Sequence, residues 1–266
     1  MIRTILTVAG SDSASGAGLQ ADCAAARSQG VLPLCAVSCV TSQNSRGVRM
    51  VEPVGMPVFT DQIEAALADV RPGAVKIGMI PGPLHAEELI RILEHENLPN
   101  VVLDPILASS KGNADLPAWL SGNLLQRIAP LLTLITPNIP EARRILGLAE
   151  GEEISQLRLA ERLLDSLDVK AVLLKGGHAE GGDSTDILLT RKGQRLEFTH
   201  PRVATPNTHG SGCALSSLIA ARLALGDHLS TACLTASDLL YESLHANADT
   251  RFYPDAPAGY GPAFFP

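Results

Sequence analysis

The chain has 266 residues, of which 45% are hydrophobic and 18% charged, and a formal net charge of −7. That balance excludes a disordered or fibrous chain and leaves enough apolar side chain for a large core. An acidic chain without any run of Lys and Arg is also not built to hold nucleic acid as its main partner.

Apolar runs of strand length recur along the chain at Ile5 to Ala9, Leu34 to Val40, Ala74 to Ile77, Val101 to Leu103, Leu131 to Ile135 and Ala171 to Leu174. Each is continuous, the pattern of strands covered on both faces. The first lies in a stretch with one charge and stops at Ser11-Asp12, which is too brief for a signal peptide and far too brief for a membrane span. Helical periodicity lies between them, as in Asp61 to Val70 and Leu84 to Glu94. Such alternation predicts an α/β fold, a three-layer α/β/α sandwich with a mostly parallel central sheet, and one domain over residues 1–266. Thr185 to Thr190 and Gln194 to Thr199 flank Arg191-Lys-Gly193 and read as a hairpin. Two long helices are expected at Gly210 to Leu225 and Leu229 to His245, followed by a Pro, Gly and aromatic tail. The five cysteines, Cys23, Cys35, Cys39, Cys213 and Cys233, form no CxxC pair or zinc-ligand spacing, which fits a reducing cytoplasm.

Ligands of an open parallel sheet bind beyond the carboxyl ends of its strands, so the junctions there carry the functional reading. The strongest is Thr205-Pro-Asn-Thr-His-Gly210-Ser-Gly-Cys213, a Gly-Ser-Gly turn opening a helix. The N–H groups of Gly210, Ser211, Gly212 and Cys213 would form an anion hole for a phosphoryl group, with the helix dipole in support. Cys213 in that first turn would have a lowered pKa and become a plausible proton acceptor. A plain Gly-rich helix cap with an inert cysteine is the competing reading.

The junction Ala9-Gly10-Ser-Asp12-Ser-Ala-Ser-Gly16-Ala17-Gly18 contains Gly16-x-Gly18-x-x-Ala21, the dinucleotide fingerprint. The NAD reading needs an acidic residue about 20 positions on, and Thr41-Ser-Gln43-Asn44 supplies amides instead. Asp12 and Gln43 suit hydrogen bonding to a small polar heterocycle, or ordinary turn chemistry. Asp104 after Val101 to Leu103, Asn138 and Glu141 after Thr136-Pro, and Lys175-Gly-Gly-His178 place carboxylates, an amide and a cation at three further strand ends. Phosphoryl transfer with Mg²⁺ uses such a set, although a turn, a capping box and a surface charge would explain each alone. There is no Gly-x4-Gly-Lys-Ser/Thr loop and no protein-kinase catalytic loop.

Taken in order, Ala9-Gly-Ser-Asp12, Gly16-Ala-Gly-Leu-Gln-Ala-Asp22, Thr41-Ser-Gln-Asn44, Lys76-Ile-Gly-Met79, Val102-Leu-Asp-Pro105, Thr136-Pro-Asn-Ile-Pro-Glu141, Lys175-Gly-Gly-His178 and Asn207-Thr-His-Gly-Ser-Gly-Cys213 resemble the bacterial hydroxymethylpyrimidine/phosphomethylpyrimidine kinases. The resemblance implies a ribokinase-like fold, a cytoplasmic homodimer with no membrane partner, and two transfers of the γ-phosphate of Mg-ATP. The acceptors are the hydroxymethyl oxygen of the aminopyrimidine and then the resulting monophosphate. It implies a substrate site of Gln43, Gly10, Asp12, Ala17 and Met79, catalysis by Cys213 with Gly210, Ser211 and Gly212, nucleotide contacts from Lys175, Asn138 and Thr208, and magnesium at Asp104 and Glu141. The chain departs from the family pattern at Ser15, at Ser109 to Gly112 and at Ser211. Pyridoxal or pyridoxine kinase of the same fold is the main rival, ahead of a catalytically silent binding protein and an NAD-linked oxidoreductase.

Overall fold

The computed structural model describes residues 2–106, 123–149, 151–177, 182–253, 261–263 and 265. His178, the Ser109 to Gly112 departure and the aromatics Tyr260 and Phe264 lie outside the described residues. The strands are β1 (Thr4–Asp12), β2 (Leu32–Asn44), β3 (Gly47–Pro53), β4 (Ala74–Ile77), β5 (Val101–Leu103), β6 (Leu134–Ile135), β7 (Ala171–Leu174), β8 (Asp183–Thr190) and β9 (Arg195–Pro201). The helices are α1 (Gly18–Ser28), α2 (Met56–Asp69), α3 (Pro83–Glu96), α4 (Asn123–Ile128), α5 (Ile139–Ile145), α6 (Gln156–Ser166), α7 (Ser211–Leu225) and α8 (Leu229–Ala246).

The strands form one nine-stranded sheet in the order β3-β2-β1-β4-β5-β6-β7-β8-β9. The six from β2 to β7 are parallel, and antiparallel strands close the sheet on either side. Alternation of side chains explains the continuous apolar runs. Val101 and Leu103 enter the core beneath α2, α3 and α6, whereas Val102 between them enters the core beneath α1, α7 and α8. Both faces are therefore covered, as the three-layer reading requires.

Two local readings differ from the structure. The run from Leu131 to Ile135 is a strand only at Leu134–Ile135, because Ala129–Leu131 forms a 3-10 turn around Pro130, which has no N–H to give a ladder. Strand β3 was not expected, since Arg49 and Glu52 interrupt its apolar pattern; it is an antiparallel edge strand, where charged side chains can stay in water.

The sheet order reverses between β1 and β4, so a crevice opens beyond their carboxyl ends. Helix α7 aims its N-terminus at this crevice from within the layer. Its Ala214, Ala220, Ala221 and Ala224 are small enough for close seating, and a side chain on Gly73 would stand 3.0 Å from the Ala224 Cβ.

Candidate active site

The carboxylate of Asp12, at the end of β1, organises the first wall. It accepts the N–H of Ala14 at 2.8 Å, of Gly16 at 3.1 Å and of Ala17 at 2.9 Å, and lies 3.0 Å from His209 Nε2. Burial alone would raise its pKa, but the contact with His209 and the loop N–H groups outweigh that and hold it below the usual carboxylate value. The oxygens of Asp12 are thus engaged in shaping the loop. Ser15 takes a φ of 58°, and its N–H bonds the carbonyl of Asp12 at 3.0 Å. Gln43 Nε2 lies 3.1 Å from His209 Nε2, so His209 joins the β1 loop to the end of β2. Gly10, Ala17 and Met79 line the same pocket.

The second wall is the N-terminus of α7. Gly210 has a φ of 75°, and a side chain there would meet the Gly16 carbonyl at 1.8 Å, so only glycine lets the two loops cross. The N–H of Ser211 bonds the Thr208 carbonyl at 3.2 Å, which removes one of the four expected anion-hole donors. Gly212 and Cys213 stand in the first turn, where the helix supplies no carbonyl to their N–H groups. A Cβ on Gly212 would lie 3.0 Å from Lys175 Nζ and 3.6 Å from Asp104 Oδ2, which places the helix mouth against both groups. The expected lowering of the Cys213 thiol is overturned: burial pushes it up to about 12, despite the nearby Lys76 charge and a hydrogen bond from the Gly18 N–H.

Lys175 Nζ and Asp104 Oδ1 are 2.9 Å apart at the ends of β7 and β5. Burial works against the Lys175 charge, but Asp104 and Glu141 outweigh it and raise its pKa. Asn138 and Glu141 form the capping box of α5, each side chain accepting the other residue's N–H at 2.8 Å. Both still line the cavity with Asp104, Lys175 and Thr208.

Two features carry weight that the sequence reading did not assign. The first is a buried polar cluster beneath Cys213. Lys76 Nζ meets Asp22 Oδ1 at 2.7 Å with neither side chain exposed, and Thr7 Oγ1 and Ser217 Oγ donate to the same carboxylate at 2.7 and 2.8 Å. Ser217 lies one turn after Cys213 on α7. A lysine within a doubly covered apolar strand was the available signal, because a buried ammonium must be paired. The second is the far end of the cavity, between β9 and α8, where His200, Val203, Leu240 and Tyr241 line an apolar slot. His200 and Tyr241 stack there with ring centroids 4.8 Å apart. The whole cavity, about 620 Å³, runs from Gln43 past α7 to this slot.

The C-terminal segment backs the site. His209 N–H bonds the Gly261 carbonyl at 3.0 Å, Ala263 N–H bonds the His209 carbonyl at 3.0 Å, and the Tyr253 hydroxyl donates to the Ala14 carbonyl at 2.5 Å.

A family profile described as phosphomethylpyrimidine kinase matches residues 12–254. The chain belongs to that family. It is 36% identical over 242 residues to the hydroxymethylpyrimidine/phosphomethylpyrimidine kinase of Haemophilus influenzae, with 90% of each chain covered. The crystal structure of phosphomethylpyrimidine kinase from Clostridium difficile superposes with a TM-score of 0.76 at 34% identity, covering 91% of this chain and 99% of that one. The ADP complex of Bacillus subtilis pyridoxal kinase superposes with a TM-score of 0.83 at 27% identity, covering 92% of each. The chain is a kinase with the ribokinase-like fold.

Proposed function

We propose that this kinase transfers the γ-phosphoryl group of Mg-ATP to 4-amino-5-hydroxymethyl-2-methylpyrimidine and then to its monophosphate, in thiamine biosynthesis. The observation that carries the reading is one continuous cavity, with the polar pocket of Gln43, His209 and Met79 at one end, an aromatic slot at the other, and the α7 N-terminus between them. The pyrimidine occupies the polar pocket, where Gln43 hydrogen-bonds its ring edge and Gly10, Ala17 and Met79 pack on it. Asp12 acts there by fixing the loop that carries Ala17. The adenine lies in the slot of His200 and Tyr241, and the phosphates run past Lys175, Asn138 and Thr208 to the helix mouth.

Among the described residues no three acidic, His or Cys side chains are grouped to hold a metal. Asp104 and Glu141 supply hard oxygen donors, which fits Mg²⁺, an ion commonly held by one or two carboxylates, waters and substrate phosphates. When bound, it would neutralise charge on the phosphate oxygens. Lys175 offsets charge on the moving phosphoryl group, and the Gly212 and Cys213 N–H groups hold it in line with the attacking hydroxyl. Cys213 accepts the hydroxyl proton as its thiolate, which with the thiol held near 12 is a minor form at neutral pH but a strong base, while orientation and charge supply the rest of the rate. Cys213→Ala should lower kcat far more than it raises the pyrimidine KM, and an unchanged kcat would remove Cys213 from the mechanism.

The proposal extends to a homodimer in the reducing cytoplasm. Edge strand β3 and its neighbour β2 expose Met50 and Val40, apolar area that a second copy would cover, and a monomer by light scattering would refute the dimer. No described helix is long and apolar enough to cross a membrane. Pyridoxal is the second candidate acceptor, favoured by the superposition on pyridoxal kinase. A coupled ADP-release assay with hydroxymethylpyrimidine, its monophosphate and pyridoxal tests the assignment. Strong turnover of both pyrimidines with weak pyridoxal supports it, pyridoxal preference moves the substrate, and no turnover of any refutes it.

A further inference from the structure

Two sulfurs outside the kinase site approach each other closely. Cys23, in the second turn of α1, and Cys35, on β2, stand with Sγ atoms 3.3 Å apart. The β1-α1-β2 crossover lays α1 over β2, and the alternation of β2 turns Cys35 towards that helix while Leu34 packs into the opposite core. Cys35 is exposed and Cys23 half-buried, whereas Cys39, Cys213 and Cys233 are buried.

We propose that Cys23 and Cys35 form a reversible oxidation site, in which a peroxide closes the pair into a disulfide that fastens α1 to β2. A disulfide needs its sulfurs about 2.05 Å apart, so closure asks for a shift of little more than ~1 Å, within reach of side-chain rotation. The two thiols are also unequal. The Cys23 hydrogen bond, with help from Arg27, lowers the pKa of Cys35 against burial and Asp22, and that same hydrogen bond raises Cys23. Exposure makes Cys35 the thiol that a peroxide reaches first, and the direction of its shift favours its thiolate, which leaves Cys23 as the resolving thiol. The Cys35 thiolate attacks one peroxide oxygen and breaks the O–O bond, giving a sulfenic acid and a hydroxide that takes a proton to become water. Cys23 sulfur then attacks the sulfenic sulfur, and the S–OH oxygen leaves as a second water carrying the Cys23 proton. The two thiols lose two electrons and hydrogen peroxide gains them. A dithiol such as dithiothreitol restores the pair by exchange.

The test treats the intact protein with hydrogen peroxide, traps remaining thiols with iodoacetamide, and maps the peptides. The expected result is a cross-link between the Cys23 and Cys35 peptides within one chain, with the mass of two hydrogens lost and two of the five thiols unavailable until dithiothreitol is added. Cys35→Ser, a change at an exposed position, should show no cross-link, and Cys23→Ser should leave Cys35 as the sulfenic or sulfinic acid. The inference is overturned if both cysteines stay alkylatable, if wild-type Cys35 reaches sulfinic acid without a cross-link, or if the only disulfide joins two chains. None of these readouts depends on the identity of the phosphoryl acceptor.

Discussion

Replacing Lys76 by Met would remove the ammonium from an ion pair in which neither side chain touches solvent. Asp22 would keep its hydrogen bonds from Thr7 and Ser217, but its charge would be buried without a counter-charge. Removing one partner of such a pair costs about 3–5 kcal/mol, a large part of the roughly 5–15 kcal/mol that holds a typical domain. With a urea dependence of about 3 kcal/mol per M, the unfolding midpoint should fall by more than about 1 M at unchanged slope. Lys76→Met combined with Asp22→Leu removes both charges and should regain most of the loss, leaving about 1–2 kcal/mol for the two hydroxyls that lose their acceptor. The sign with pH follows from the pair. Burial opposes the Lys76 charge, but Asp22, Cys213 and Asp104 outweigh it and raise its pKa. Its contribution is therefore complete below the ordinary lysine value of about 10.4 and fades as pH rises from there towards the higher folded value. The gap between wild type and Lys76→Met should narrow only in that alkaline window. A midpoint for Lys76→Met within about 0.3 M of wild type, or a double variant no more stable than the single one, would refute the reasoning.

Three further outcomes are expected. Gly212→Ala should fold, because the added methyl crowds the flexible tip of Lys175 and meets the Asp104 carboxylate at ordinary contact distance, yet lower kcat by about 10²-fold or more by crowding the anion hole; circular dichroism and the ADP-release assay check both halves. With the Cys213 thiol near 12, iodoacetamide at pH 7 to 9 should label Cys35 well before Cys213, and kcat should show no inflection from Cys213 in that range; fast labelling of Cys213 would contradict its burial. Tyr253→Phe should cost about 0.5–1.5 kcal/mol in urea unfolding and raise the pyrimidine KM, since it frees the Ala14 carbonyl on the substrate loop.

The sequence by itself determined the α/β alternation, since strands with both faces buried must be apolar throughout, and it pointed to the candidate site, since Asp12, Asp104, Asn138 and Lys175 stand at the ends of apolar runs and the Gly210 to Cys213 turn opens a helix. It also carried enough ordered motifs to place the family. Tertiary structure decided how those residues divide the work. Asp12 could be read as a ligand or a turn former from its neighbours alone, and the three loop N–H groups converging on it make it the organiser of the loop. Position in a first helical turn pointed to a lowered Cys213 thiol, but burial, which no local pattern encodes, has the opposite effect and prevails. The Lys76 and Asp22 pair lies 54 residues apart in the chain, and the His200 and Tyr241 slot joins a strand to a later helix. Such pairings depend on which elements the sheet order brings together, and a one-dimensional pattern holds no distance between residues that far apart.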